Sequence, residues 1–165
     1  MAYSADRFTP YIHFYDIYFA LKRDFILKIL KKYCSKYCLV LDCGSGLGVD
    51  SHTINKVGHN VIGVDLSKIR VFFARSLFKG PEFLVGDIMQ LPFRDGIFDC
   101  ILSSETLEHI PNDVLAMREL SRALKENGVV IITVPYGSKL TKVDIKIGHF
   151  RRYTVPLLRE NLAVI

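Results

Sequence analysis

Leu39-Val40-Leu41-Asp42-Cys43-Gly44-Ser45-Gly46-Leu47-Gly48 is an apolar run that ends in an acid and opens into three alternating glycines. A second acidic-ended run, Val61-Ile62-Gly63-Val64-Asp65, follows it. Two strands joined through a glycine turn read as the first half of a nucleotide-binding βαβ unit. The bare glycines let a ligand approach the backbone, and the acid closing the second strand can accept from a ribose diol.

The first acid decides which nucleoside is expected. Asp42 stands at the mouth of the turn, where a dinucleotide would place its pyrophosphate. Like charges a few ångströms apart in a partly dry site repel by several kcal/mol. A cationic ligand suits that position, and S-adenosyl-L-methionine offers an ammonium and a sulfonium for Asp42 together with a ribose for Asp65.

Outward from this core, 165 residues suffice for one domain that buries roughly 70% of its unfolded surface. We expect a single unit over 1–165, with a helical cap (1–36), a cofactor-binding core (37–135) and an acceptor-side loop with a short helix (136–165). The chain is 50% hydrophobic with a mean hydropathy of +0.23, yet its apolar runs are strand-sized and none is expected to span a membrane. Met1 to Arg7 lacks the apolar stretch of a secretory signal, so a cytoplasmic location is expected. Cys34, Cys38 and Cys43 are close together, but their spacing matches no common zinc pattern, and with Cys100 they read as buried, reduced thiols. The net charge of +5 is concentrated in Lys22, Arg23, Lys28, Lys31, Lys32 and Lys36. These alternate with Phe25, Ile26, Ile29, Leu30 and Tyr33 at helical spacing, which a solvated helix face explains without nucleic acid.

Periodicity predicts a helix from Phe14 to Tyr33, strand Cys38 to Leu41, helix Val49 to Lys56 and strand Val61 to Val64. A helix from Lys68 to Phe78 capped by Ser67 follows, then strands Phe83 to Val85 and Phe98 to Leu102. A helix from Val114 to Lys125 is stopped by Asn127-Gly128. Val129 to Val134, the most β-branched segment, reads as a central strand. Tyr136 to Arg152 reads as a loop, and a last helix is capped at Thr154 with Pro156 in its first turn. Alternating strands and helices predict a parallel sheet with its ligands at the carboxyl ends of the strands.

In this order, the strings Val40 to Gly48, Gly63-Val64-Asp65-Leu66-Ser67, Gly86-Asp87-Ile88 with Leu91-Pro92-Phe93, Phe98 to Ile101, Leu107-Glu108-His109-Ile110 and Gly148 to Thr154 resemble class I S-adenosylmethionine-dependent methyltransferases. The likeness is to the small-molecule type that includes quinone-biosynthesis enzymes. It implies an α/β, three-layer Rossmann-like methyltransferase fold with a mostly parallel sheet, here without the last two strands. The strand edge left open could be covered in a homodimer. By the same resemblance Gly44, Ser45 and Gly46 pass under the methionine moiety while Asp42 attracts its ammonium. Asp65 takes the ribose hydroxyls and Leu66 packs on adenine. Asp87 accepts from the exocyclic amine beside the Ile88 amide, and Ser103 and Ser104 border the methionine end.

For the acceptor, in-line attack on the sulfonium methyl calls mainly for alignment, with a base for an oxygen nucleophile. Glu105, His109 and His149 are the candidate catalytic residues. A helical turn would gather Glu105, Glu108 and His109, a trio similar to a string thought to bind a divalent metal in some quinone O-methyltransferases. A scaffold role is the preferred reading, and no metal is assigned. Arg151 and Arg152 could clamp an acidic substrate or pin their loop, and Tyr11, Tyr15 and Tyr18 could form a lid. Three other functions share parts of this pattern. A nucleic-acid methyltransferase acting on base amines would show Pro-Pro-aromatic where Ser103-Ser104-Glu105-Thr106 stands. A nicotinamide oxidoreductase needs a third glycine where Val49 stands. A cofactor-binding module without catalysis keeps the same first half of the site.

Overall fold

The computed structural model describes residues 9–163, with side chains described for 17–163. Helix α1 (Thr9–Tyr33) leads into β1 (Leu39–Cys43), α2 (Val49–Lys56), β2 (Asn60–Asp65), α3 (Lys68–Leu77) and β3 (Glu82–Val85). Then come β4 (Phe98–Ser104), a 3-10 turn (Leu107–His109), α4 (Asp113–Ala123), β5 (Leu124–Thr133), α5 (Lys142–Lys146) and α6 (Val155–Leu162). The five strands form one sheet of order β3-β2-β1-β4-β5, and every pairing is parallel. This is the expected three-layer α/β arrangement.

Alternation along the strands divides the core. Leu41, Cys43 and Ile101 point to one face and pack with Met117 and Leu120 of α4 and with Tyr153. Val40, Cys100 and Leu102 point to the other, beneath Ile26 and Leu30 of α1 and Ile54 of α2. β1 and β4 are buried on both faces, as strands at the centre of a covered parallel sheet must be. Each loop at their carboxyl ends therefore starts from a rigid point.

Several expectations need correction. β5 lies at an edge of the described sheet, not at its centre. Its β-branched residues report helices on both faces of the sheet, which does not require a strand on both sides. Helix α4 ends at Ala123, because Leu124 turns extended and pairs with Phe98. The next pair is Cys100 with Val129, so residues 125–128 are extruded as a bulge in which Asn127 takes φ 62. The region read as loop contains α5, started by a capping box in which Thr141 and Asp144 satisfy each other's backbone amides. On α1, Phe25 and Tyr33 are exposed while Ile26 and Leu30 are buried, so the apolar stripe is narrower than the periodicity implied. Lys28, Lys31, Lys32 and Lys36 do form a solvated face, but Lys22 and Arg23 turn inward to Asp50. All four cysteines are free thiols, three buried and Cys34 partly so. No helix among the described residues is long and apolar enough to cross a membrane.

Candidate functional site

The turn after β1 is fixed by backbone geometry and by one carboxylate. Gly44 (φ 77) and Gly46 (φ 56) take left-handed conformations that side chains resist. A Cβ on Gly44 would fall inside the Thr106 side chain, whereas one on Gly46 would meet open space. Gly44 is thus a packing requirement, and Gly46 leaves backbone bare toward a ligand. Asp65 locks the turn: its Oδ2 accepts from the Gly46 amide at 2.9 Å and its Oδ1 from the Ser67 amide at 2.8 Å. Ser67 in turn caps α3 through the Arg70 amide.

At the carboxyl ends of the strands lies a cavity of about 440 Å³. Gly44, Asp65, Leu66, Asp87 and Ile88 are among the residues that line it, together with Glu105, Thr106, His109 and Ile147. Leu66 is 70% exposed, an apolar surface available to a flat ring. Asp87 is half-buried and its Oδ1 accepts from the Met89 amide at 2.8 Å, which fixes the loop around Ile88. Five expected cofactor residues, Asp42, Ser45, Gly46, Ser103 and Ser104, do not line the cavity. They gather beside it, where β1 and β4 pair Cys43 with Ser103.

Asp42 is 2% exposed and receives the Ser51 hydroxyl at 2.5 Å. Burial pushes its carboxyl up to about 7, and the nearby Asp50 adds to the rise while Ser51 and Lys22 oppose it. A cation delivered to Asp42 would relieve that penalty. The buried hydroxyls of Ser45 and Ser103 have no hydrogen-bond partner among the described residues. A buried acid near the end of β1, a left-handed glycine turn and a cavity of this size lined by Asp65 fit the tail and nucleoside of S-adenosylmethionine.

The acceptor side is built differently from the expectation. Glu105 takes φ 50 and receives the Tyr18 hydroxyl at 3.2 Å, so it leaves the helical turn that holds its neighbours. Among the described residues, Glu108, His109 and His149 place one ligand atom each within 4.8 Å of one another. The predicted trio is thus regrouped, with His149 in place of Glu105. Glu108 is 1% exposed, its Oε2 lacks a partner among the described residues, and burial followed by Glu105 pushes its carboxyl up to about 7. His109 and His149 meet edge to face at 4.5 Å between ring centres. Burial, then the His149 charge, holds His109 below the ordinary histidine range, while a hydrogen bond with the Gly148 backbone opposes that trend. Tyr11 and Tyr15 lie outside the described side chains.

Asp144, which the sequence reading passed over, organises this side. It is 3% exposed, and its carboxylate accepts from the Thr141 amide and hydroxyl and from Nε and Nη2 of Arg152 at 2.7 and 2.9 Å. These contacts, the Arg152 bonds foremost, hold its carboxyl well below the usual range. His149 Nδ1 lies 3.2 Å from Asp144 Oδ1, close enough for an ion pair but without hydrogen-bond alignment. Arg151 pairs with Asp113 and donates to the Pro111 carbonyl at 2.7 Å. Both arginines are therefore engaged within the protein, which matches the loop-pinning reading and leaves no clamp. The capping box T-x-x-D was the signal that could have flagged Asp144.

A family model described as a methyltransferase domain matches residues 41–132. An uncharacterised protein of Methanocaldococcus jannaschii is 31% identical over 130 residues, covering 78% of this chain and 55% of its own. A 2-methyl-6-phytyl-1,4-hydroquinone methyltransferase of Synechocystis is 36% identical over 97 residues, or 56% of this chain and 30% of its own. The chain thus spans about half or less of the length of these curated relatives. Among solved structures, the YcgJ protein of Bacillus subtilis superposes with a TM-score of 0.71 at 24% identity, covering 82% of this chain and 64% of its own. A methyltransferase of Haloferax volcanii, solved with the Trm112 methyltransferase activator, gives 0.74 at 24% identity over 81% of this chain and 63% of its own.

Proposed function

The chain belongs to the S-adenosylmethionine-dependent methyltransferase family, and from that premise we propose that it moves a methyl group from this cofactor to a small-molecule acceptor by in-line displacement. The observation that carries the reading is the cavity itself, lined by Gly44, Asp65, Leu66, Asp87 and Ile88 together with Glu105 and His109. When bound, the cofactor supplies an activated methyl on a sulfonium.

In this reading Asp65 takes the ribose hydroxyls, Leu66 covers adenine, and Asp87 with the Ile88 amide reads its edge. Asp42 holds the ammonium, Gly44, Ser45 and Gly46 lie under the tail, and Ser103 and Ser104 flank it. Positioning an acceptor nucleophile at near-attack distance across the cavity supplies on the order of 7–11 kcal/mol of the barrier. His109 is the group we assign to remove the acceptor's proton, because a histidine held below its ordinary range is unprotonated near pH 7 and free to accept one. His149 packs edge to face against it, and Glu105, which lines the cavity, receives the Tyr18 hydroxyl. The likeness to the 2-methyl-6-phytyl-1,4-hydroquinone methyltransferase supports a small-molecule acceptor.

Thermal melts give the first test. S-adenosylmethionine or S-adenosylhomocysteine at ~100 times its Kd adds about 2.7 kcal/mol and raises Tm by several degrees, while NAD does not. Absence of a shift with both thioether ligands overturns the cofactor reading. A labelled-methyl screen of hydroxylated and carboxylated metabolites, with magnesium or with chelator, then tests the acceptor class and the Glu108, His109 and His149 cluster together.

A further inference from the structure

Lys22 belongs by spacing to the basic face of α1, yet only 8% of its side chain is exposed. Its Nζ donates to Ser104 Oγ at 2.6 Å and lies 3.5 Å from Asp50 Oδ2. Ser104 closes β4, and the next two residues, Glu105 and Thr106, line the cavity. The ammonium of Lys22 therefore sits next to the part of the cavity formed by Glu105 and Thr106, on the side from which the reading above brings the cofactor's amino-acid tail to Asp42. It is the cation whose field reaches both Asp42 and Glu108.

That tail is a zwitterion. Its carboxylate is attached to the same carbon as its ammonium, so a site that grips the ammonium through Asp42 brings the carboxylate into the same dry corner, beside Asp50. An unpaired carboxylate there would be repelled by both acids. Asp50 already has a second cation, Arg23, whose Nη1 is 3.8 Å from its Oδ1. Lys22 can turn to a ligand without leaving Asp50 unpaired.

We propose that Lys22 is the receptor for the α-carboxylate of S-adenosylmethionine, donating to it from Nζ while Ser104 holds the side chain in place and Arg23 retains Asp50. The assignment rests on the cofactor reading above. It makes α1 part of the cofactor site, and it lets the protein distinguish the complete cofactor from its decarboxylated form, which keeps ammonium, sulfonium and adenosine but lacks the charge that Lys22 meets.

Calorimetric titration of wild type, Lys22→Met and Lys22→Arg with S-adenosylmethionine and with decarboxylated S-adenosylmethionine tests this without any need for turnover. Lys22→Met keeps the aliphatic stem that fills the site. It is expected to weaken S-adenosylmethionine by about 10- to 100-fold, the range of a hydrogen bond to a charged group, and to leave the decarboxylated ligand within about twofold of wild type. Lys22→Arg is expected to restore most of the preference. Equal weakening of both ligands in Lys22→Met would mean that the lysine only anchors the helix, and unchanged binding of both would remove it from the site; either result overturns the proposal. If wild type binds neither ligand, it is the cofactor reading itself that fails, and the proposal falls with it.

Discussion

Asp42 gives the most demanding prediction, because one substitution should move stability and affinity in opposite directions. Its carboxyl is pushed up to about 7 in the folded protein from a starting value of 3.8. Since the folded value is the higher, this group favours the fold fully below the unfolded pKa near 4. That contribution is lost as pH rises toward 7, and above 7 the fold carries a charged, buried acid. The difference, about three pH units, corresponds to roughly 4 kcal/mol at pH 8, an upper bound reached only if the carboxylate finds no relief. Asp42→Asn keeps the shape, and the Ser51 hydroxyl can still donate to the amide oxygen. We expect the variant to be more stable than wild type by about 1–4 kcal/mol at pH 8 and by much less at pH 5, measured by urea unfolding at both pH values. Binding runs the other way. A ligand ammonium requires the ionised acid, so wild-type affinity for S-adenosylmethionine should improve about tenfold from pH 6 to pH 8, as the ionised fraction of a group titrating near 7 rises from roughly 9% to 91%. Calorimetry in buffers of different ionisation enthalpy would register proton release near pH 6. The variant should lose both the pH dependence and about 10- to 100-fold in affinity at pH 8. A wild-type affinity flat from pH 6 to 8, or a variant no more stable at pH 8, would refute the argument.

Two further substitutions probe the scaffold. Gly44→Ala places a methyl group inside the Thr106 side chain at φ 77, and is expected to cost about 1–3 kcal/mol in chemical denaturation and to weaken the cofactor; stability within 0.5 kcal/mol of wild type would contradict the assigned packing role. Tyr153→Phe removes a buried hydroxyl that donates to Asp113 at 2.7 Å, while Arg151 and Asn161 still serve that acid. The loss should be about 0.5–1.5 kcal/mol by the same measurement, and a cost above about 3 would mean that the hydroxyl carries more of the network than its geometry indicates.

The nucleotide-binding half of the fold was readable because its signals are local. Asp42 and Asp65 stand at the ends of strands joined through the glycine turn and α2, Ser67 caps α3 by its own hydroxyl, and the glycines mark the turn. What escaped depends on residues far apart in the chain. Helical spacing put Lys22 on a charged face but could not say that α1 passes the end of β4 and the start of α2, where Lys22 and Arg23 turn inward. Glu105 looked like the first member of a helical trio, yet its left-handed backbone sends it to Tyr18, and His149, brought by a later loop, takes its place. Lys125-Glu126 continues the helical pattern of α4, and only the pairing of Leu124 with Phe98 ends the helix sooner. β-branching in Val129 to Val134 correctly signalled coverage by helices and was misread as coverage by strands.

Asp144 has a kinetic consequence. Because a single carboxylate accepts from Thr141 and Arg152 and faces His149, both ends of the segment around α5 are tied through one group, with Arg151 and the Phe150 amide fastening the end that follows it. Opening it means breaking these bonds together, so its amides should exchange with solvent as a single cooperative unit.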